Sequence, residues 1–379
     1  MKICVLTHPL HSNYGGLLQA YALQTVLKRM GHDVVTDRNG VISKKRFWSN
    51  LGWFVYHFIR KYFTFSKRHN PFQFLFNRFN KHVEIELLRR SELQMQFISE
   101  YISTIDFFVN GNPPIEAFVT QFDAIVVGSD QVWRPAYMNV PYYFLDFLKS
   151  DKIKRVAYAA SFGVDTWDEF SAEVTKRCVE AAKKFQAISV REDSAVRLCK
   201  EMLGVDALHL LDPTLLLRAN DYIQLFEKDC SFESDNSLMC YVLDRVPLVE
   251  NVIELAADKY SLNPFVVDLS YDVIPQERYP SVQTWLSYFY KANYIVTDSY
   301  HGMIFSIIFN KQFVVIANPQ RGISRFKSLL RILDLEDRLI QSHEDLNRDW
   351  SYDIDYDVVN SIIEKKRELS YAFINQNLS

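Results

Sequence analysis

Short apolar runs that stop at a polar turn and give way to a helical pattern restrict the folds open to this chain more than any other feature. "KICVLT" (2–7) leads into "HPLHSNYGG" and then "LLQAYALQTVLKRMG", where Leu18, Tyr21, Ala22, Val26 and Met30 recur at helical steps and Gly31 supplies a stop. "HDVVT" follows as the next strand. The succession returns in "FDAIVVG" (122–128), "RVAYAAS" (155–161), "AISVR" (187–191) and "LHLLDP" (208–213), with helical patterns near 168–184 and from about 193 to 203. Strands alternating with helices imply a mostly parallel sheet covered on both faces. A second series runs from "LMCYVLD" (238–244) through "VENVIELAADKYS", "PFVVDLS", "SVQTWLSYFYKA", "YIVTD", "MIFSIIFN" and "QFVVIA". The polar stretch "KDCSFESDN" marks the break between them. The α/β expectation is two Rossmann-type halves, residues 1–217 and 218–345, facing each other across a cleft. A C-terminal segment, 346–379, carries a last amphipathic helix over about 356–376 that packs back on the first half.

At 379 residues the chain is long enough for two domains, and its net charge of −3 gives no reason to expect nucleic acid as a partner. Cys4, Cys178, Cys199, Cys230 and Cys240 form no C-x-x-C pair and no zinc spacing, so reduced thiols, no metal and no cofactor are expected. The apolar run in "MKICVLTHPLHSNYGG" is too short for a signal peptide, and no stretch approaches the ~18 apolar residues of a membrane span. A cytoplasmic protein is the expectation.

One segment breaks the alternation. From Val41 to Val83 there is no Asp or Glu, while nine Lys and Arg residues stand among crowded aromatics such as Phe47, Trp48, Trp53, Phe54 and Tyr56. Three readings stand side by side. A helical insertion over about 41–100 packs its aromatics on the first half, or the window docks on an anionic membrane, each basic residue contributing about 1 kcal/mol. In the third it meets nucleic acid, the least favoured because the rest of the chain is not basic.

Four turns at the carboxyl ends of expected strands carry polar residues that a core would not select, and this is the ligand side of open α/β sheets. In the first, Gly15 and Gly16 let the backbone approach a ligand, and His8, His11, Asn13 and Tyr14 add donors; a plain strand–helix turn is the alternative. In the second, "VVGSDQVWRP", Gly128, Ser129, Asp130 and Gln131 follow a strand and Trp133 offers a flat apolar wall. Asp130 there binds a sugar hydroxyl, acts as a base, or caps a turn. In the third, "SVRED", Arg191 suits a carboxylate or phosphate, or else pairs with Glu192 or Asp193. The fourth is "TDSYHGMIFSII", where His301 and Gly302 open an apolar helix whose N–H groups, with a protonated imidazole, would hold an anion.

"NYGGLLQAYALQTVLKRMGH", "VVGSDQVW", "YAASFG", "SVRED", "LLDPTLLL", "TDSYHGMIFSIIF" and "SRFKSLLRILDLEDRLI", in this order, resemble the polysaccharide pyruvyl transferase family over residues 1 to about 340. The resemblance implies a GT-B-like fold. It implies transfer of a pyruvyl group from phosphoenolpyruvate, a co-substrate, to a glycan acceptor, with a cyclic ketal formed and phosphate released. It further implies Arg191 and His301 at the donor, with Ser299, Tyr300 and Gly302 beside them. Asp130 and His301 are the candidate catalytic groups, and the first two turns are the candidate acceptor side. The family often has arginine two positions before the histidine; Ser299 stands there in this chain, and Arg325 or Arg321 is expected to supply the charge. A lipid-linked acceptor would place the enzyme at the inner membrane face through 41–83. A sugar-nucleotide glycosyltransferase and a non-catalytic glycan-binding protein remain as alternatives on the same fold.

Overall fold

The computed structural model describes residues 1–42, 89–227, 236–268, 278–318, 322–348 and 353–379. The aromatic-basic window 41–83 lies almost entirely outside the described residues, as does Arg321.

Two parallel sheets carry the chain, in a GT-B-like arrangement of two Rossmann-type halves. The first contains β1 (Lys2–Leu6), β2 (Asp33–Asp37), β3 (Thr104–Ile105), β4 (Ala124–Val127), β5 (Lys154–Ala160), β6 (Ala187–Val190) and β7 (Leu208–His209), in the order β3-β2-β1-β4-β5-β6-β7. The second contains β8 (Ser237–Val242), β9 (Asn263–Asp268), β10 (Tyr294–Thr297), β11 (Gln312–Ile316) and β12 (Leu339–Ile340), in the order β12-β11-β10-β8-β9. Every pairing between these strands is parallel. Parallel strands are covered on both faces, which is why β4 and β10 read as unbroken apolar runs, buried at every residue. Side chains nevertheless alternate between two cores. Ile3 and Val5 face one and Cys4 and Leu6 the other, as the two-residue period of a strand requires.

The strand order reverses between β1 and β4 in the first sheet and between β8 and β10 in the second. Such switch points leave a crevice beyond the carboxyl ends of the strands, because the flanking connections run to opposite faces. The first two polar turns lie at one switch point, and the His301 turn lies at the other.

The helix Tyr14–Arg29 begins where Asn13 accepts a hydrogen bond from the Gly16 amide at 3.2 Å, and Lys28 and Arg29 fill its last turn. The helix Tyr300–Ile308 is capped by Ser299 and buried from Tyr300 through Ile307, so it reads as apolar all round. It lies close to β10 because position 302 has no side chain; a β-carbon there would fall 2.3 Å from Thr297 Oγ1.

The helix Tyr356–Leu378 joins the halves. Near its start the Tyr356 hydroxyl donates to the Lys311 carbonyl, beside β11. Further along, Arg367 Nε donates to Leu215 O at 2.9 Å and Tyr371 to Leu216 O at 3.2 Å, so the helix ends against the first half. Phe373, Ile374 and Leu378 join one apolar core that runs from Ile3 and Leu17 to Trp285 and Phe305. Among the described residues no helix is long and apolar enough to cross a membrane.

Candidate functional site

Arg191 directly follows β6, with its side chain wholly buried. An isolated guanidinium could not remain charged there, so carboxylates must meet it. They are not its neighbours Glu192 and Asp193. Arg191 donates to Asp130 Oδ1 at 2.7 Å and to Asp212 Oδ2 at 2.8 Å. Burial works against each charge and the mutual attraction outweighs it. Asp130 is held well below the usual carboxylate range by His8, Arg191 and His301, and Asp212 by His301 and Arg191. Arg191 in turn is pushed upward by the two aspartates. Glu192 goes the other way: burial raises it, although its Oε1 accepts from Ser161, Phe162 and Gly163.

Asp212 is the hub, and sequence reading missed it as a site residue. Its Oδ1 caps the turn Pro213–Leu215 through the Thr214 amide and hydroxyl, at 3.0 and 2.7 Å. Its Oδ2 receives Arg191 and Ser129 Oγ (3.3 Å), and lies 3.8 Å from His301 Nε2. That last contact exceeds hydrogen-bond length, which leaves Nε2 of the buried His301 with no hydrogen-bond partner. Arg191 Nε is likewise unsatisfied. Behind the cluster, Ser129 N donates to Gln19 Oε1, and Gln19 Nε2 and the Ser129 carbonyl meet at Thr7 Oγ1, which fixes the turn after β4 to the turn after β1.

The second half brings its residues in by packing. Gly15, on the first half, lies against the His301 imidazole so closely that a β-carbon would stand 2.0 Å from Nδ1. Gly322 meets the first half in the same way: its β-carbon would fall 2.1 Å from the Gly163 carbonyl oxygen, at a φ of +87°. Tyr300 is buried, with the guanidinium of Arg191 over its ring at 4.8 Å and that of Arg325 at 4.9 Å. Arg325 comes from the helix Ser324–Leu333, and burial together with Arg191 pushes its pKa down to about 10. Two guanidiniums, an imidazole and two ionised carboxylates thus meet where the switch points face each other. An anion would relieve the crowding of the cations, and the carboxylates can accept hydrogen bonds from hydroxyls.

Several candidates of the sequence reading are placed elsewhere. Tyr14 is fully buried, donates to Pro280 O at 2.6 Å, accepts from Gln94 and stacks on Trp285, so its hydroxyl joins the halves and is spent on Pro280. Trp133 is also fully buried; its indole donates to Tyr143 O and its ring stacks on Phe144 at 4.4 Å. Asn13, Gly16 and Ser299 build helix starts: Asn13 and Ser299 by capping, and Gly16 by leaving room for the Asn13 side chain. Gln131 receives Arg134. Gly128, at a φ of +121°, leaves no room for a β-carbon beside the Tyr158 carbonyl. His11 is exposed, whereas the half-buried His8 stays at the cluster: it meets Tyr137 edge-on at 6.4 Å and its charge helps to hold the Asp130 pKa down. His8, Gly15, Asp130, Arg191, Tyr300, His301 and Arg325 are brought together; Gly302 and Ser299 support them. Among the described residues no group of three or more His, Cys, Asp and Glu is placed to hold a metal.

Residues 13–320 match the family described as polysaccharide pyruvyl transferase. No curated protein matches the chain. Among solved structures it is similar to the S. aureus MnaA-UDP co-structure, at 12% identity and a TM-score of 0.45 over 98% of this chain and 91% of that one. It is similar too to UDP-GlcNAc 2-epimerase from Methanocaldococcus jannaschii (11% identity, TM-score 0.44, 96% and 92% covered). A third is the spinosyn rhamnosyltransferase SpnG complexed with thymidine diphosphate (10% identity, TM-score 0.38, 100% of both chains).

Proposed function

The chain belongs to the polysaccharide pyruvyl transferase family, and on that premise we propose that it moves a pyruvyl group from phosphoenolpyruvate onto two hydroxyls of a glycan. The observation that carries the reading is the pair of buried guanidiniums, Arg191 and Arg325, over one tyrosine ring beside His301. Phosphoenolpyruvate carries a carboxylate and a phosphate, two anions that two guanidiniums can share. Arg325 takes the place of the arginine that Ser299 lacks, from a different element.

The chemistry balances as follows. One proton adds to the methylene carbon of the enol, and the resulting cationic carbon is attacked by a glycan hydroxyl. Phosphate leaves with one proton, and the second hydroxyl closes the ketal. Two hydroxyl protons are released; one replaces the proton given to carbon and one leaves on phosphate. His301 gives a proton to the departing phosphate. Asp130, strongly ionised, is too weak a base to strip a hydroxyl unaided; it orients the hydroxyl and stabilises the cationic carbon. The acceptor is a lipid-linked glycan met at the inner membrane face, a reading that rests on the basic and aromatic composition of 41–83. Anionic vesicles that fail to bind the chain at low salt would remove that part alone.

The test is thermal stabilisation by phosphoenolpyruvate against a panel of nucleotide sugars, for the wild type and Arg325→Lys. A ligand at 100 times its dissociation constant stabilises by about 2.7 kcal/mol, which is readily seen. Stabilisation by phosphoenolpyruvate alone, weakened in the variant, is the expected result. A response only to a nucleotide sugar would replace this donor with a nucleotide sugar.

A further inference from the structure

Three chain segments bring charge to the cleft, and one histidine belongs to or touches all three. His209 ends β7, three residues before Asp212. Its Nε2 lies 3.1 Å from the main-chain oxygen of Arg191 and 3.3 Å from Ser328 Oγ. Ser328 stands three residues after Arg325, on the same side of the helix Ser324–Leu333, and both are buried. Ser328 Oγ also accepts from the Asp193 amide at 2.9 Å, and Arg331 pairs with Asp193 at 2.7 Å on the outside of the contact.

A carbonyl oxygen has no hydrogen to give, so Nε2 must carry the proton and donate to Arg191 O, with Ser328 Oγ as its second acceptor. Burial lowers the pKa of His209; the Arg191 carbonyl and Asp193 oppose that shift and Lys366 adds to it, so the ring is neutral at pH 7. A single N–H is therefore shared between the peptide that carries one guanidinium and the helix that carries the other.

We infer that His209 is a positioning residue of the donor site, setting the separation of Arg191 and Arg325 by bridging the Arg191 carbonyl to Ser328 across the two halves. The inference rests on the donor reading above. Its physical basis is that two guanidiniums can share one small dianion only at a fixed separation, and a loose support costs affinity.

The experiment measures phosphoenolpyruvate affinity by titration calorimetry on the full chain, with unliganded melting temperatures, for the wild type, His209→Ala, His209→Gln and Ser328→Ala. A glutamine amide can replace the Nε2 donor. With one net hydrogen bond at stake, His209→Ala should weaken binding about tenfold and Ser328→Ala about threefold, and His209→Gln should recover most of the loss. Unchanged affinity in folded His209→Ala, or equal losses in the Ala and Gln variants, would overturn the inference. Should His209→Ala not fold, wild-type affinity in Ser328→Ala overturns it equally. If the wild type ignores phosphoenolpyruvate, the donor reading fails by itself, and inorganic phosphate becomes the probe of the same two arginines. The same ranking with phosphate sustains the positioning role; a flat ranking, or no phosphate binding at all, removes it.

Discussion

The carboxyl ends of the two sheets meet at one cleft but are built on different principles. At the first sheet, charge is matched by charge: Arg191 is closed between Asp130 and Asp212, and Ser129, Thr7 and Gln19 tie the aspartates' turns together. At the second, position comes from shape: His301 lies against a glycine, and Arg325 is a buried cation whose pKa is depressed by burial and by Arg191. The arginine built into the fold and the arginine strained by its surroundings are thus on opposite sides. A ligand anion has more to give to the second.

The largest effect expected follows from opening the first side. Arg191→Met leaves two buried carboxylates without their cation, and breaking such a cluster costs about 3–5 kcal/mol, measurable by denaturant unfolding. The same cluster sets an acid limb. Asp130 and Asp212 have folded pKa values below the ordinary 3.8, so their stabilisation is present above that pH and is lost as pH falls through the lower folded values. Asp212→Asn should flatten that limb in acid unfolding curves; an unchanged limb would mean that the cluster does not govern it.

Next comes the glycine contact on the shape-built side. Gly15→Ala forces a β-carbon into the His301 ring and should cost about 1–3 kcal/mol. Adding His301→Ala should restore most of that stability, a coupling that a double-mutant cycle reads directly. Two additive losses would show that the halves do not rely on this fit.

Smaller still is Tyr14→Phe, which removes one hydroxyl shared by Pro280 and Gln94. It should cost about 1 kcal/mol and leave ligand binding untouched; a change in acceptor affinity would return Tyr14 to the cleft. Smallest in stability is Arg325→Met. Relief of cation crowding should offset part of what the fold loses with its contacts, while stabilisation by phosphoenolpyruvate is lost. If the variant unfolds readily, the contrast between the two sides collapses.

The strands were legible because a parallel strand is buried on both faces, and "AIVV" and "YIVT" carry that burial in their own residues. The turns that hold Arg191 and His301 were legible as well, since polar residues interrupt apolar runs there. Strand order was not, because nothing local to a strand names its neighbour. Tyr14 and Trp133 misled because they stand beside polar turns, and the direction of a ring is decided by packing partners such as Trp285 and Phe144, far from the turn in fold or helix register. Asp212 was overlooked inside "LHLLDP", though it had the same signal as Asp130, an acid three residues past the end of a strand, here the one paired with the Arg191 strand. Arg325 could be suspected only from the absence of arginine at position 299.

The helix Tyr356–Leu378 has a consequence for how the protein is made. Phe373, Ile374 and Leu378 seal a core whose first members, Ile3 and Val5, emerge from the ribosome more than 350 residues earlier. One face of the amino-terminal half therefore cannot be covered while that half is being synthesised, although the core between Cys4 and Leu203 on its other face can. The first face must wait, with apolar surface open, through translation of the entire second half, at the ~5–20 residues per second of synthesis. Chaperone demand during that interval, more than the stability of the finished protein, should limit how much of this chain a cell can accumulate.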